Sequence, residues 1–144
     1  MLVKQVSVFL ENKSGRLADV SRILGENNID IRALSIADTA EYGILRIIVD
    51  KPDYAVQILK EKGFSVRTTE VIAVGVADKP GGLLETLEIL KQANIPIEYM
   101  YAFIGNIEKD KAIVILRVDD TQKAIQVLQE NGIELYPSSK IYNL

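Results

Sequence analysis

The feature that most constrains this chain is an internal repeat, in which the second half restates the pattern of the first. Val8–Leu17 (VFLENKSGRL) aligns with Val74–Leu83 (VGVADKPGGL) at an offset of 66 residues, since 74 minus 8 is 66. Asn28–Ile31 aligns with Asn94–Ile97 at the same offset. After a turn near 105–111 that tolerates extra residues, the offset becomes 69, with Val49 on Val118, Ala55 on Ala124, Leu59 on Leu128 and Gly63 on Gly132. The repeat predicts two copies of one structural unit, residues 1–70 and 71–144.

Each copy alternates strands and helices in the order βαββαβ. In the first copy the hydrophobic periodicity predicts strands at Val3–Leu10, Ile29–Thr39, Gly43–Val49 and Phe64–Thr69, and helices at Gly15–Asn27 and from Pro52 to Gly63. In the second copy it predicts strands at Val71–Val76, Ile97–Gly105, Lys111–Val118 and Ile133–Ser138, and helices at Gly81–Ala93 and Thr121–Glu130. This order is the ferredoxin-like α+β plan. We expect each copy to form a four-stranded antiparallel sheet with two helices on one face.

Composition excludes several classes of function. The 144 residues include no histidine and no cysteine, so the usual general base and the commonest metal ligands are missing and no metal site is expected. The net charge of −3 gives no basic surface for a nucleic acid. No apolar run is long enough to cross a bilayer. The N-terminal MLVKQVSV alternates like a strand and lacks the layout of a signal peptide, so a cytoplasmic location is expected.

The most informative segment is the loop between the first strand and the first helix of each copy. It reads ENKSGRL in the first copy and ADKPGGL in the second. Glycine allows a sharp turn, and the free N–H groups and positive dipole end of the following helix can hold a carboxylate or a phosphate. Asn12 or Asp78 could accept hydrogen bonds from an ammonium group. The same residues also suit an ordinary helix start, with Ser14 as a cap and Pro80 fixing the backbone before the helix.

The segment DKPGGLLETLEILKQANIPIEYM resembles the signature of ACT domains, and NKSGRLADVSRILGENNIDIRALS resembles it more loosely. The resemblance implies a regulatory, non-catalytic module that needs no cofactor and binds a free amino acid where two such units pair. It implies a homo-oligomer, with a dimer expected. It places the ligand between the first loop of one unit and the start of the second strand of the other. By position, this implicates the loop residues Asn12, Lys13, Ser14, Gly15, Arg16, Leu17, Asp78, Lys79, Pro80, Gly81, Gly82 and Leu83, and the strand residues Ile29, Asp30, Ile31, Ile95, Pro96 and Ile97.

The first copy departs from this signature at three positions. Asn12 replaces the acid, Ser14 replaces the proline, and Arg16 stands where the second copy has Gly82. A neutral amide attracts an ammonium group less than a carboxylate does. Arg16 could either close over a ligand carboxylate or fill the space. We therefore expect two inequivalent sites.

Three other functions share this fold plan. An acylphosphatase-like enzyme needs an arginine in the first loop, and Arg16 is the single loop arginine. An RNA-binding module needs aromatic side chains on the central strands, but Phe9 is the only aromatic residue on the first strand of either copy. A protein-interaction module is the third. Fold alone does not decide among these functions.

Overall fold

The chain divides into two compact units, one of Lys4–Thr69 and one of Met1–Val3 together with Glu70–Leu144. A computed structural model describes residues 1–11, 14–38, 42–105 and 108–144. The strands are β1 (Leu2–Glu11), β2 (Ile31–Asp38), β3 (Tyr42–Val49), β4 (Ser65–Ala77), β5 (Ile97–Ala102), β6 (Lys111–Val118) and β7 (Leu135–Tyr136). The helices are α1 (Arg16–Glu26), α2 (Pro52–Glu61), α3 (Leu84–Gln92), α4 (Thr121–Glu130) and α5 (Ser138–Tyr142).

The first unit has the predicted ferredoxin-like arrangement, with strands in the order β2-β3-β1-β4. Strand β3 pairs antiparallel with β1 on one side and with β2 on the other, so that Leu45 faces both Val8 and Ile36. Alternate strand residues point to one face, and those on the inner face of this sheet pack in one cluster with residues of both helices. The buried members are Val6, Val8, Leu10, Val20, Ile23, Leu24, Ile29, Leu45, Ile47, Val49, Ala55, Ile58, Leu59, Phe64 and Val66.

Both helices of this unit follow directly from residue spacing. Val20, Ile23 and Leu24 are spaced to form one stripe of α1, and all three are buried. Pro52 occupies the first turn of α2, where its missing N–H costs nothing. After α2 the chain reaches Gly63, whose φ of 89° is a left-handed conformation that favours glycine.

The second unit repeats the plan, with β6 between β5 and β4, and β7 on the other side of β4. Its core is a separate cluster of buried residues from the sheet and from α3 and α4: Ile72, Val74, Val76, Leu90, Ile95, Val114, Leu116, Val118, Ala124, Leu128 and Leu135. Leu2 packs against this cluster, which explains why Met1–Val3 group with the second unit.

Three predicted elements differ from the structure. The strands predicted to meet at residue 70 form one unbroken strand, β4 (Ser65–Ala77), because no turn residue interrupts Val66–Val74. The last strand, predicted at Ile133–Ser138, is reduced to Leu135–Tyr136 because Pro137 follows and α5 begins at Ser138. Helix α3 begins at Leu84, three residues after Gly81.

Within the residues that the structure describes, no helix combines the length and the hydrophobicity needed to cross a bilayer.

We predict that Gly75→Ala destabilises the second unit. A Cβ at Gly75 would lie 3.0 Å from the ring of the buried Tyr136, so either the ring or strand β4 would have to shift. Overpacking of this kind costs about 1–3 kcal/mol, which urea unfolding followed by circular dichroism will measure.

Gly43→Ala is the matched control, because the nearest atoms to a Cβ at this strand glycine lie 3.9 Å away. Relief of the glycine entropy cost should leave this variant unchanged or more stable by about 0.5 kcal/mol. Equal unfolding free energies for the two variants would contradict the packing argument.

Candidate functional site

The first-unit loop leads from β1 straight into α1. Gly15 precedes the helix with φ 89° and ψ −7°, a left-handed conformation. Ser14 and Gly15 are exposed, whereas Asn12 and Lys13 lie outside the described residues. The alternative role predicted for Ser14 is not seen, since no side-chain hydrogen bond caps α1 within the described part of the chain. Among the residues that the structure describes, no side chain caps the first-turn N–H groups of α1.

The second-unit loop makes the same left-handed turn with different hydrogen bonds. Gly81 has φ 79°, within ten degrees of Gly15 (89 − 79 = 10). The backbone N–H of Lys79 donates to the carbonyl of Ala77, and that of Gly82 donates to the carbonyl of Lys79, both at 2.9 Å. Asp78, Lys79, Pro80 and Gly81 are exposed. Among the described residues no side chain caps α3, and the N–H of its first residue, Leu84, donates to the carbonyl of Gly81 at 3.1 Å.

Gly82 explains why the two loops are not identical. A Cβ at this position would lie 1.9 Å from the carbonyl oxygen of Ala77, so the loop in this conformation has no room for a side chain here. In the first unit the aligned residue is Arg16, the first residue of α1. Helix α3 instead begins after two further turn residues, Gly82 and Leu83, and Leu83 packs against the second-unit core.

Arg16 lies against the body of the first unit. Its Cζ atom is 4.6 Å from the centre of the Phe64 ring, a cation–π distance. Its Nη1 atom is 3.9 Å from the Asp19 carboxylate, and its side chain is about one-third exposed. Arg16 therefore packs on Phe64 at the start of α1 in this structure.

The two second-strand starts differ in chemistry. In the first unit Ile29 is buried and Asp30 is exposed. The guanidinium of Arg32 donates to the Asp30 carboxylate at 2.6 Å, and the backbone N–H of Asp30 donates to the Asp50 carboxylate at 2.9 Å. In the second unit the equivalent residues Ile95, Pro96 and Ile97 line an apolar groove together with Leu87 and Leu90. A charged network thus occupies one copy and an apolar surface the other.

The predicted loop residues and strand-start residues do not meet within either unit. Helix α1 separates Ser14–Leu17 from Ile29–Ile31, and its 11 residues span about 16 Å at 1.5 Å per residue. Helix α3 separates the corresponding sets of the second unit in the same way. A site built from both sets therefore needs two units.

A cluster of charges that the sequence did not reveal lies next to the second loop. The N–H of Asp78 donates to the carbonyl of Asp110 at 2.9 Å. Beside it, Lys111 pairs with Glu108 at 3.3 Å and with Glu134, and Lys140 pairs with Glu108 at 3.5 Å. The hydrogen bond from Lys111 lowers the pKa of Glu134, and Glu134 raises the pKa of Lys111. Sequence separation hides this cluster, because Lys111 and Glu134 lie 23 residues apart.

Metal-ligand geometry is not found in the described residues, where no group of three or more acidic side chains is arranged to hold an ion.

We predict that Gly82→Ala is the more damaging of two neighbouring loop substitutions. The contact at 1.9 Å with Ala77 forces the loop to rearrange, whereas a Cβ at Gly81 meets nothing within 4 Å. Gly81→Ala should cost only the left-handed strain of about 1–2 kcal/mol, and Gly82→Ala should cost more. Thermal and urea unfolding of both variants will measure the difference, and a smaller loss for Gly82→Ala would refute the loop geometry.

The chain is similar to known proteins over nearly its whole length. The sequence profile of the family described as "ACT domain pair" matches residues 1–143. A crystal structure of protein BT0572 from Bacteroides thetaiotaomicron is 42% identical, with a TM-score of 0.93 over 100% of this chain and 98% of that chain. The ligand-free regulatory subunit of aspartate kinase from Thermus thermophilus is 16% identical, with a TM-score of 0.62 over 90% of this chain and 93% of that chain. The corresponding subunit from Thermus flavus is 12% identical, with a TM-score of 0.60 over 88% and 90%.

None of the curated proteins compared with the sequence matches it. The profile covers nearly all of the 144 residues, and it describes a pair of domains, in agreement with the repeat and with the two units of the structure. The chain belongs to the family of ACT domain pairs.

Proposed function

We propose that this chain is a non-catalytic sensor of a free amino acid, bound at the loops before α1 and α3. The observation that carries the proposal is the repeated helix start. In both units an exposed loop turns through a left-handed glycine, Gly15 or Gly81, into a helix that no described side chain caps. Because ACT domains are regulatory modules, this repeated feature is the natural ligand-binding element of the chain.

The second loop suits both charged groups of an amino acid. A ligand carboxylate would accept hydrogen bonds from the backbone N–H groups at the start of α3, where the helix dipole also favours negative charge. The exposed carboxylate of Asp78 would accept hydrogen bonds from the ligand ammonium group. In the first copy the sequence position aligned with Asp78 is Asn12, a neutral and weaker acceptor.

A complete site requires the second-strand start of another unit, because each helix separates the two sets of residues within its own unit. In such a site Ile95, Pro96 and Ile97, or Ile29, Asp30 and Ile31, would face the loop of a neighbouring unit. The ligand would then favour the paired state, which is how a sensor of this kind converts binding into a change of assembly.

The fold neighbours support a regulatory role. Two of them are regulatory subunits of aspartate kinase. We propose that this chain likewise regulates a process of amino-acid metabolism, and that it does so in the cytoplasm. A chain without cysteine has no disulfide that the reducing conditions there could break. The acylphosphatase-like alternative gains no support, because Arg16 is held by Phe64 and Asp19.

We predict that one or a few of the twenty amino acids raise the melting temperature of the purified protein. A ligand that binds only the folded state adds about 2.7 kcal/mol at 100 times its dissociation constant, which a thermal-shift assay detects in a small protein. Acetyl phosphate and a short RNA serve as comparison ligands. A rise with acetyl phosphate and with no amino acid would contradict the proposal.

Asp78→Ala should weaken the response, because the ligand ammonium group loses a charge-assisted hydrogen bond of about 1.5–3 kcal/mol, a tenfold or greater loss of affinity. Asp119→Ala is the matched control, since Asp119 is an exposed acid after β6 and at the other end of that strand from Lys111. Titration calorimetry with the responding amino acid measures both variants. Equal affinities for the two would remove Asp78 from the site.

A further inference from the structure

The end of β4, immediately before the second loop, lies beneath a bridge of opposite charges. Strand β6 pairs with β4 on one side, with Lys111 opposite Ala77. On the other side of β4 the N–H of Gly75 donates to the carbonyl of Glu134 at 2.9 Å. The side chains of Lys111 and Glu134 nevertheless pair with each other, so their bridge crosses β4. It can do so because Gly75 and Ala77 have no bulky side chain on that face.

Helix α5 is tied to the same bridge. Glu108 pairs with Lys111 at 3.3 Å and with Lys140 of α5 at 3.5 Å. The Lys140 ammonium also lies 4.9 Å from the centre of the Tyr136 ring, a cation–π distance, and this ring lies against Gly75. We name the four charged residues the clasp: Glu108, Lys111, Glu134 and Lys140.

Residues 134–142, which run from the start of β7 through α5, form a strap. Two of its side chains are buried, Tyr136 at 1% and Ile141 at 0% exposure. Helix α5 has five residues and β7 has two, and a helix this short is unstable without such tertiary contacts. Segments with few backbone hydrogen bonds open at a lower free energy than a core does. We therefore expect the strap to open before the rest of its unit.

The second loop begins where the clasp ends. Asp78 follows Ala77 directly, and its N–H donates to the carbonyl of Asp110 at 2.9 Å, next to Lys111. Asp110 has a φ of 67°, a left-handed conformation that persists in a residue other than glycine where its surroundings hold it. We propose that the strap controls the second loop: the loop keeps its present geometry while the clasp is closed and loosens when α5 is released.

The first copy has no equivalent of this clasp in its sequence. The residues aligned with Lys111 and Glu134 are Tyr42 and Ser65 (111 − 69 = 42 and 134 − 69 = 65), which provide no pair of opposite charges. The glycine beneath the bridge is replaced by Phe9 (75 − 66 = 9), whose ring would stand in the way of a crossing side chain. Control by the strap therefore belongs to the second copy, the one whose loop carries the acid.

Control of the loop implies regulation of ligand binding, a consequence that rests on the proposed function, whereas the control itself does not. The ligand would be held by Asp78 and by backbone N–H groups at the start of α3. Its apparent affinity falls in proportion to the fraction of molecules whose loop has the binding geometry. By linkage, a bound ligand should in turn slow the opening of the strap.

Amide hydrogen exchange of the ligand-free, full-length chain tests the clasp. Lys111→Met removes the bridge, so the amides of Asp78 and Gly82 should exchange about two- to fivefold faster, the range expected for partly exposed ion pairs. Arg117→Met is the matched control, since Arg117 lies at the other end of β6 and pairs with Glu98 at 3.5 Å. A loop that exchanges no faster in Lys111→Met than in Arg117→Met overturns the proposal.

A second pair of variants releases α5 itself. Ile141→Asp places a charge where the side chain is 0% exposed, which is unfavourable enough to expel so short a helix. The loop should then exchange at least as fast as in Lys111→Met. Ser139→Asp adds the same charge at an exposed position of α5 and should leave the loop unchanged. A loop that is equally fast in both variants overturns the proposal, as does an equal rise at Leu90 in the core of the unit.

Calorimetry with the amino acid that raises the melting temperature tests the regulation. Ile141→Asp should weaken binding about fivefold or more, the lower end of typical coupling between sites, and Ser139→Asp should not. Unchanged affinity in Ile141→Asp overturns the regulation. If no amino acid binds, the proposed function fails, but the exchange measurements still decide whether the strap controls the loop.

Discussion

Burial of one sheet face beneath two helices is the interaction on which the other features of each unit depend. Val8 and Leu45 on the sheet, with Leu24 and Leu59 on the helices, are almost completely removed from water. Each such side chain contributes about 1.5–3 kcal/mol of hydrophobic free energy. Since these contacts fix where α1 starts relative to the end of β1, they also fix the loop between them. In the second unit, the buried cluster that contains Leu90 of α3 and Leu116 of β6 likewise fixes where α3 starts relative to the end of β4.

The two loops show how one scaffold accommodates different local sequences. A left-handed glycine is common to both, because the chain must reverse direction between strand and helix. After it, Arg16 enters the helix at once and anchors on Phe64, whereas Gly82 approaches the carbonyl of Ala77 too closely for any side chain. The start of the helix therefore moves by two residues, and with it the position of the backbone donors. The two copies therefore resemble each other more closely in their cores than in the geometry of this loop.

Much of the fold could be predicted from the sequence because its signals are local. The spacing of Val20, Ile23 and Leu24 specifies a helix, and the offset that superimposes Gly15 on Gly81 specifies the repeat. The contact of Arg16 with Phe64 and the cluster around Lys111 could not be predicted, since they join residues that only the folded chain brings together. The layout of the candidate site also depends on distances that the sequence does not state. The sequence named both halves of it, but the length of α1 and of α3 separates those halves within each unit.

The two units carry different chemistry at matched positions. At the end of α1 and the start of β2 the first unit has Asp30, Arg32 and Asp50 in a charged network, where the second unit has the apolar Ile95 and Pro96. Strand β2 of the first unit carries both Arg32 and Asp38, whereas the charged residue of β5 is Glu98. Conversely, only the second loop has a carboxylate, Asp78, at the position that would receive an ammonium group. Duplication thus allows the two copies to differ in charge and polarity at matched surface positions. Surface residues of one copy can then change without destabilising the other copy, because each copy has its own hydrophobic core.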